Sequence, residues 1–253
     1  MTDKFLLEKC KNLIRRPYVG NVSKKILFLS LPRCGSSFLC DIVTKHGQLG
    51  FPEEWFDQKF IETFSKNVMP LTDAAAISSY CDFVVHKSAT ANGCFSLNLQ
   101  LPSYVWWLSK GINWIEAIGF DQVYFLYRQD KYAQVYSWAI AKKSNIWRKT
   151  TEQGKRELPE GVNFNVMSEL LSHLLQFEWR YEQQIKAKVN REFKYEDFCQ
   201  DIPSTIQIIC KDVGVGFEPS RVQDSQYKIQ RTDYDQTPLK QFRSFMQSKF
   251  RKF

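Results

Sequence analysis

The sequence predicts an α/β fold in which a central, mostly parallel sheet is flanked by helices. Two observations carry this. Short β-rich runs alternate with stretches of helical spacing, as in strand–helix–strand units. The first such run, Lys25-Ile-Leu-Phe-Leu-Ser30, also passes through a polar turn, Leu31-Pro-Arg-Cys-Gly-Ser-Ser37, straight into the helix-like Phe38-Leu-Cys-Asp-Ile-Val-Thr-Lys45. A buried strand that feeds a Gly/Ser turn and a helix start aims unpaired backbone N–H groups and the positive end of a helix dipole at one place. Arg33 and the hydroxyls of Ser36 and Ser37 add to that field. The turn is built to hold a phosphate.

Taken in order, residues 4–16 read as an amphipathic helix, with Phe5, Leu6, Leu7, Cys10, Leu13 and Ile14 on one face. The strand 25–30 and the helix after the turn follow. Phe83-Val-Val-His86 reads as a second, buried strand, ending at Lys87-Ser88. Residues 97–118 read as helix with breaks at Pro102 and Gly111. Gln122-Val-Tyr-Phe-Leu-Tyr127 is a third strand, and Asp130 caps a helix to about Lys143. Residues 163–188 form a long helix with Val166, Leu170, Leu171, Leu174, Leu175 and Phe177 at helical spacing. Glu192-Phe-Lys-Tyr195 is a fourth strand, 202–213 and 237–250 are helical, and 214–236 is irregular. No linker or repeat interrupts the chain, so residues 1–253 are read as one domain.

Composition narrows the function classes. Apolar residues make up 43% of the chain, which suffices for a sizeable core, yet no apolar run reaches the ~18 residues of a membrane span. The start of the chain lacks the apolar stretch of a secretory leader. Seven scattered cysteines without a C-x-x-C pair fit reduced thiols in a cytoplasmic protein. Three histidines without paired spacing argue against a zinc site. The net charge of +8 implies an anionic partner. No dense basic helix or nucleic-acid module accompanies it, so a small, multiply charged ligand is expected rather than nucleic acid.

The turn is not the common nucleoside-triphosphate loop. Laid on G-x-x-x-x-G-K-[ST], residues 30–37 agree at Gly35 and Ser37 but put Ser36 in place of the Lys that reaches the β/γ-phosphates. The phosphatase pattern C-x5-R fails as well, because Cys40 stands where Cys34 would need its Arg. Cys34 beside Arg33 and a helix start is open to two readings, an acidic thiol or a small residue filling the turn.

Leu31-Pro-Arg-Cys-Gly-Ser-Ser-Phe38 resembles the 5′-phosphosulfate loop of sulfotransferases, which use 3′-phosphoadenosine 5′-phosphosulfate (PAPS). Arg33 to Asp41, followed by Gly50-Phe-Pro-Glu-Glu-Trp-Phe56, is similar to the trehalose 2-sulfotransferase-like branch, with Cys34 and Trp55 departing from its pattern. A second segment, Arg128-Gln-Asp-Lys-Tyr-Ala-Gln-Val-Tyr-Ser137-Trp138, resembles the family's reader of the 3′-phosphate, with its Arg and Ser nine residues apart. Ile146-Trp147-Arg148, Phe193-Lys-Tyr-Glu-Asp197 and Gln230-Arg231 resemble later motifs, the last one closing over the nucleotide.

The resemblance implies a sulfotransferase fold of P-loop type and metal-free, in-line transfer from PAPS to a hydroxyl of a small acceptor, leaving adenosine 3′,5′-bisphosphate. It assigns the donor to Arg33, Cys34, Gly35, Ser36, Ser37, Arg128, Ser137 and Arg231. Arg33 and Lys87 would stabilise the transferring group, with Lys87 at a strand end. Glu54 would be the base. His86 is the rival, although neighbours on a strand point to opposite faces, which would turn it away from the side of Lys87. Trp106, Trp107, Trp114, Trp138 and Trp147 suit either a sugar-binding surface or a core. The branch points to a carbohydrate or hydroxylated metabolite as acceptor, and homodimerisation is left open. Two other readings stand beside this one: a P-loop nucleotide kinase or phosphotransferase, and a non-catalytic binder of anions or glycans with the same fold.

Overall fold

The computed structural model describes residues 3–147, 163–227 and 236–250. In chain order, α1 (Asp3–Arg15) precedes β1 (Lys24–Ser30) and α2 (Ser36–His46). Helices α3 (Gln58–Asn67) and α4 (Ala74–Lys87) lead to β2 (Cys94–Gln100), α5 (Leu101–Ser109) and α6 (Trp114–Ile118). Strand β3 (Gln122–Tyr127), α7 (Lys131–Ser144) and α8 (Phe164–Arg180) come next, then β4 (Arg191–Lys194), α9 (Tyr195–Phe198), α10 (Ile202–Val213) and α11 (Thr237–Phe250). The four strands make one parallel sheet in the order β2-β1-β3-β4. The α/β expectation therefore holds.

Both faces of the sheet are covered, which is why its strands read as nearly continuous apolar runs. Ile26, Phe28, Tyr124 and Leu126 face Leu39 and Val43 of α2 and Ile206 and Ile209 of α10. Leu27, Leu29, Val123 and Phe125 face the other way, onto a larger core with Phe56, Phe60, Tyr80, Val135 and Leu174. Each such Leu or Phe contributes about 1.5–3 kcal/mol by leaving water. Asp130 caps α7 by accepting from Ala133 N at 3.0 Å, as its sequence position indicates.

The second strand is not where the sequence placed it. Phe83-Val-Val-His86 is the last part of α4, which starts at an Asp73 cap and an Ala74-Ala-Ala76 run. A four-residue apolar run does not distinguish strand from buried helix. The true β2 is Cys94-Phe-Ser-Leu-Asn-Leu-Gln100. Its two-residue alternation places Phe95, Leu97 and Leu99 in the larger core. The helix expected from residue 97 therefore begins only at Leu101. The long helix 163–188 likewise stops being α-helical at Arg180 and continues as a π-turn over Tyr181–Ile185. Val166 and Leu175, expected on its apolar face, are exposed.

The segment 50–56 runs along the outer edge of β2. Gly50 has φ of +81° and lies so close that an added Cβ would meet Ser96 N at 2.4 Å. Phe51 N donates to Ser88 O and Asn98 N to Glu53 O. A strained φ and a backbone clash then act together in Gly50→Ala. Urea unfolding should show a loss of about 3 kcal/mol or more; a loss under about 1 kcal/mol would mean that this contact is not rigid.

Candidate functional site

The turn after β1 is a concave nest at the carboxyl edge of the sheet. Arg33 (φ 62°) and Gly35 (φ 83°) are left-handed on either side of Cys34. Such alternation turns successive backbone N–H groups toward one point. Gly35 is the N-cap of α2 and offers no side-chain cap, so the first N–H groups of that helix face the same point. A Cβ on Gly35 would meet the Tyr195 ring at 2.6 Å. The position thus needs glycine both for its φ and for this packing. Cys34 is fully buried, and burial pushes its thiol up to about 12. Of the two readings of Cys34, the turn-filling one is correct. Ser36 is buried and accepts from Gln100 Nε2 at 3.2 Å.

Helix α7 brings the second clamp against this loop. Gln134 Nε2 donates to Pro32 O at 2.7 Å, and Arg33 Nε donates to Ser137 Oγ at 3.1 Å. Arg33 Nη1 also donates to the Trp147 carbonyl. Arg128, at the end of β3, is 5% exposed, and its Nε has no hydrogen-bond partner among the described residues. Its guanidinium lies 4.7 Å from the centre of the Tyr195 ring, the same ring that covers Gly35. Glu196 sits 3.9 Å from Arg128 Nε and accepts from the backbone N–H groups of Gln129 and Asp130. A buried, incompletely satisfied guanidinium next to an anion cradle suits a phosphate. Tyr195 spaces the two clamps and Glu196 braces one of them. The sequence analysis gave their segment only as a later family motif and did not anticipate either contact.

Glu54 reaches the same edge from the other side. Its backbone is locked: Tyr80 OH donates to Trp55 O at 2.5 Å, and Trp107 Nε1 donates to Phe56 O at 2.8 Å. Lys9 pairs with the neighbouring Glu53 at 2.6 Å. The Glu54 side chain points to the end of β2, where Asn98 Nδ2 (3.4 Å) and Gln100 Nε2 (3.2 Å) both donate to its Oε1. These two residues were missed because β2 was. The signal was present, as polar Ser96, Asn98 and Gln100 alternate with Phe95, Leu97 and Leu99.

Other expected residues lie elsewhere. Lys87 is in the last turn of α4 rather than at a strand end, and its ammonium donates to the carbonyls of Ile14 and Arg16, capping the end of α1. The argument that gave it a role at the reacting group therefore loses its premise. His86 stacks on Tyr18 at 4.6 Å and puts Nδ1 2.5 Å from Val19 O. That contact is with the turn after α1, not with the phosphate loop. Trp107 and Trp114 fill the core, whereas Trp106, Trp138 and Trp147 are half-buried. Arg231, Gln230 and Arg148 lie outside the described residues. Among the described residues no group of His, Cys, Asp and Glu is arranged to hold a metal ion, and no helix is long and apolar enough to cross a membrane.

Comparison with known proteins identifies a family. Among solved structures, a sulfotransferase domain from the Synechococcus PCC 7002 olefin synthase matches with 17% identity over 91% of this chain and 90% of that one, at a TM-score of 0.47. A sulfotransferase from Alicyclobacillus acidocaldarius matches with 10% identity over 87% and 89% of the two chains, at 0.47. Sulfotransferase STF1 from Mycobacterium tuberculosis H37Rv matches with 11% identity over 95% and 80%, at 0.40. No curated protein matches. The family model described as "Stf0 sulphotransferase" covers residues 26–240, from β1 through both anion clamps to the start of α11, and the chain belongs to that family.

Proposed function

We propose that this sulfotransferase moves a sulfuryl group from PAPS to a hydroxyl of a small acceptor, with a carbohydrate or hydroxylated metabolite as the first candidate. One observation carries the reading. Two anion cradles from segments about 95 residues apart in sequence meet directly, through Arg33 Nε and Ser137 Oγ at 3.1 Å. A ligand with phosphates at both its 5′ and 3′ ends uses both. The donor supplies the sulfuryl group and a bisphosphate leaving group.

In this reading the N–H groups of residues 34–37 and the Arg33 guanidinium hold the 5′-phosphate and offset the charge it gains as the S–O bond to it breaks. Arg128 and Ser137 hold the 3′-phosphate. Such transfers depend on positioning and charge stabilisation more than on covalent help. The Glu54 carboxylate takes the acceptor's proton as the new O–S bond forms. Lys87 receives no role, since its ammonium caps α1. Trp147, half-buried and linked to Arg33 through its carbonyl, offers one aromatic surface for an acceptor ring.

Calorimetry tests the donor. Adenosine 3′,5′-bisphosphate should bind more tightly than ATP with Mg²⁺, and the reverse order would sink the reading in favour of a phosphotransferase. Arg128→Ala should cost the bisphosphate about 10- to 100-fold in affinity while leaving adenosine 5′-phosphate nearly unchanged. An Arg128→Ala protein that still prefers the 3′-phosphate would remove that assignment. Glu54→Gln should keep bisphosphate affinity and lower sulfuryl transfer by about 10²- to 10⁴-fold in a labelled-sulfate assay over sugars and phenols. Retained turnover would exclude Glu54 as the base. Tight bisphosphate binding by the unaltered chain without any transfer would point to the non-catalytic binder.

A further inference from the structure

Gln100 is the last residue of β2 and stands at the junction of the two halves of the site. Its Nε2 lies 3.2 Å from Ser36 Oγ on the phosphate loop and 3.2 Å from Glu54 Oε1. The direction of the amide follows from the partners: a carboxylate oxygen accepts, so the nitrogen faces Glu54 and the carbonyl oxygen points away. That carbonyl oxygen, Oε1, is buried and has no hydrogen-bond partner among the described residues. Its neighbour on the same face of β2 differs. The Asn98 amide donates to Glu54 through Nδ2 and accepts from Ser30 Oγ through Oδ1, so both of its ends are used.

A buried carbonyl left unpaired works against the folded state, and an apolar residue of similar length would remove that cost. Gln100 is thus poorly explained as a stabilising residue, whereas Asn98 is well explained as one. What Gln100 provides is a single donor group shared between the donor loop and the carboxylate. The β1–β2 register sets Ser30 opposite Gln100, which ties this bridge to the end of β1.

We infer that Gln100 is a positioning residue that sets the spacing between the phosphate loop and Glu54, and hence between the sulfuryl donor and the group that deprotonates its acceptor. The inference rests on the sulfuryl-transfer reading above. A misplacement of about 1 Å at a reacting centre costs on the order of 100-fold in rate without a comparable loss of binding.

The test uses the full chain, PAPS carrying labelled sulfate, and water as the acceptor. Gln100→Met should have an unchanged or higher thermal midpoint and bind adenosine 3′,5′-bisphosphate within about threefold of the parent. Its kcat for sulfate release should fall about 10- to 100-fold at an unchanged KM for PAPS. Combined with Glu54→Gln, it should add no further loss, because both changes remove the same arrangement. Asn98→Leu serves as the contrast and should lower the midpoint. A Gln100→Met protein with parental kcat, a fall in midpoint like that of Asn98→Leu, or losses that multiply with Glu54→Gln would each overturn the positioning role while leaving the transfer reading intact. If the unaltered chain binds no bisphosphate, or passes labelled sulfate neither to water nor to the sugars and phenols of the transfer assay, the transfer reading itself falls, and this inference falls with it.

Discussion

The parallel pairing of β1 with β2 on one side and β3 on the other brings Ser30 level with Gln100 and with Leu126. The candidate site follows from that register. In a parallel sheet every strand ends on the same edge, so the turn after β1 opens between the ends of its two neighbours. On one side stand Asn98 and Gln100, which meet Glu54. On the other stands Arg128 with α7 behind it. A shift of one residue in the β1–β2 pairing would send Asn98 and Gln100 to the opposite face and replace them with leucines, since side chains alternate along a strand.

Charge at this edge is held in a costly state. Arg128 is removed from water beside Glu196 and over Tyr195, yet its Nε has no hydrogen-bond partner among the described residues. A buried cation without full hydrogen bonding lowers stability. In the proposed reading, the 3′-phosphate would offset that deficit. Tyr195 makes the arrangement compact: its ring packs over Gly35 and lies 4.7 Å from the Arg128 guanidinium, so both clamps rest on one aromatic side chain.

The carboxylate side is built differently, by fixing backbone rather than by burying charge. Buried Tyr80 and Trp107 hold the carbonyls of Trp55 and Phe56, and Asn98 N holds that of Glu53. Glu53 and Glu54 are adjacent but face different partners, Lys9 from α1 in one case and the amides of β2 in the other. The N-terminal helix thereby takes up one acidic side chain and leaves its neighbour directed at the phosphate loop.

The sequence by itself determined the fold class, the strand–turn–helix from Lys25 to Lys45 and the Asp130 cap, and it singled out Arg33, Arg128 and Ser137, which the fold brings to one edge of the sheet. These are local: a strand, a turn and a helix start lie within a dozen residues, and their chemistry is written in residue types at fixed spacing. Only the tertiary structure decided which apolar segment was β2, and with it the fates of Lys87, Gln100 and Tyr195. Phe83-Val-Val satisfies a helix or a strand equally well in isolation, and the choice is made by what pairs with the edge of β1. Once Cys94–Gln100 takes that edge, α4 packs outside it and Lys87 turns to the end of α1. The contacts of Gln100 with Ser36 and Glu54, and of Tyr195 with Gly35 and Arg128, join segments that are distant in sequence, and such contacts exist only once the sheet has set its register.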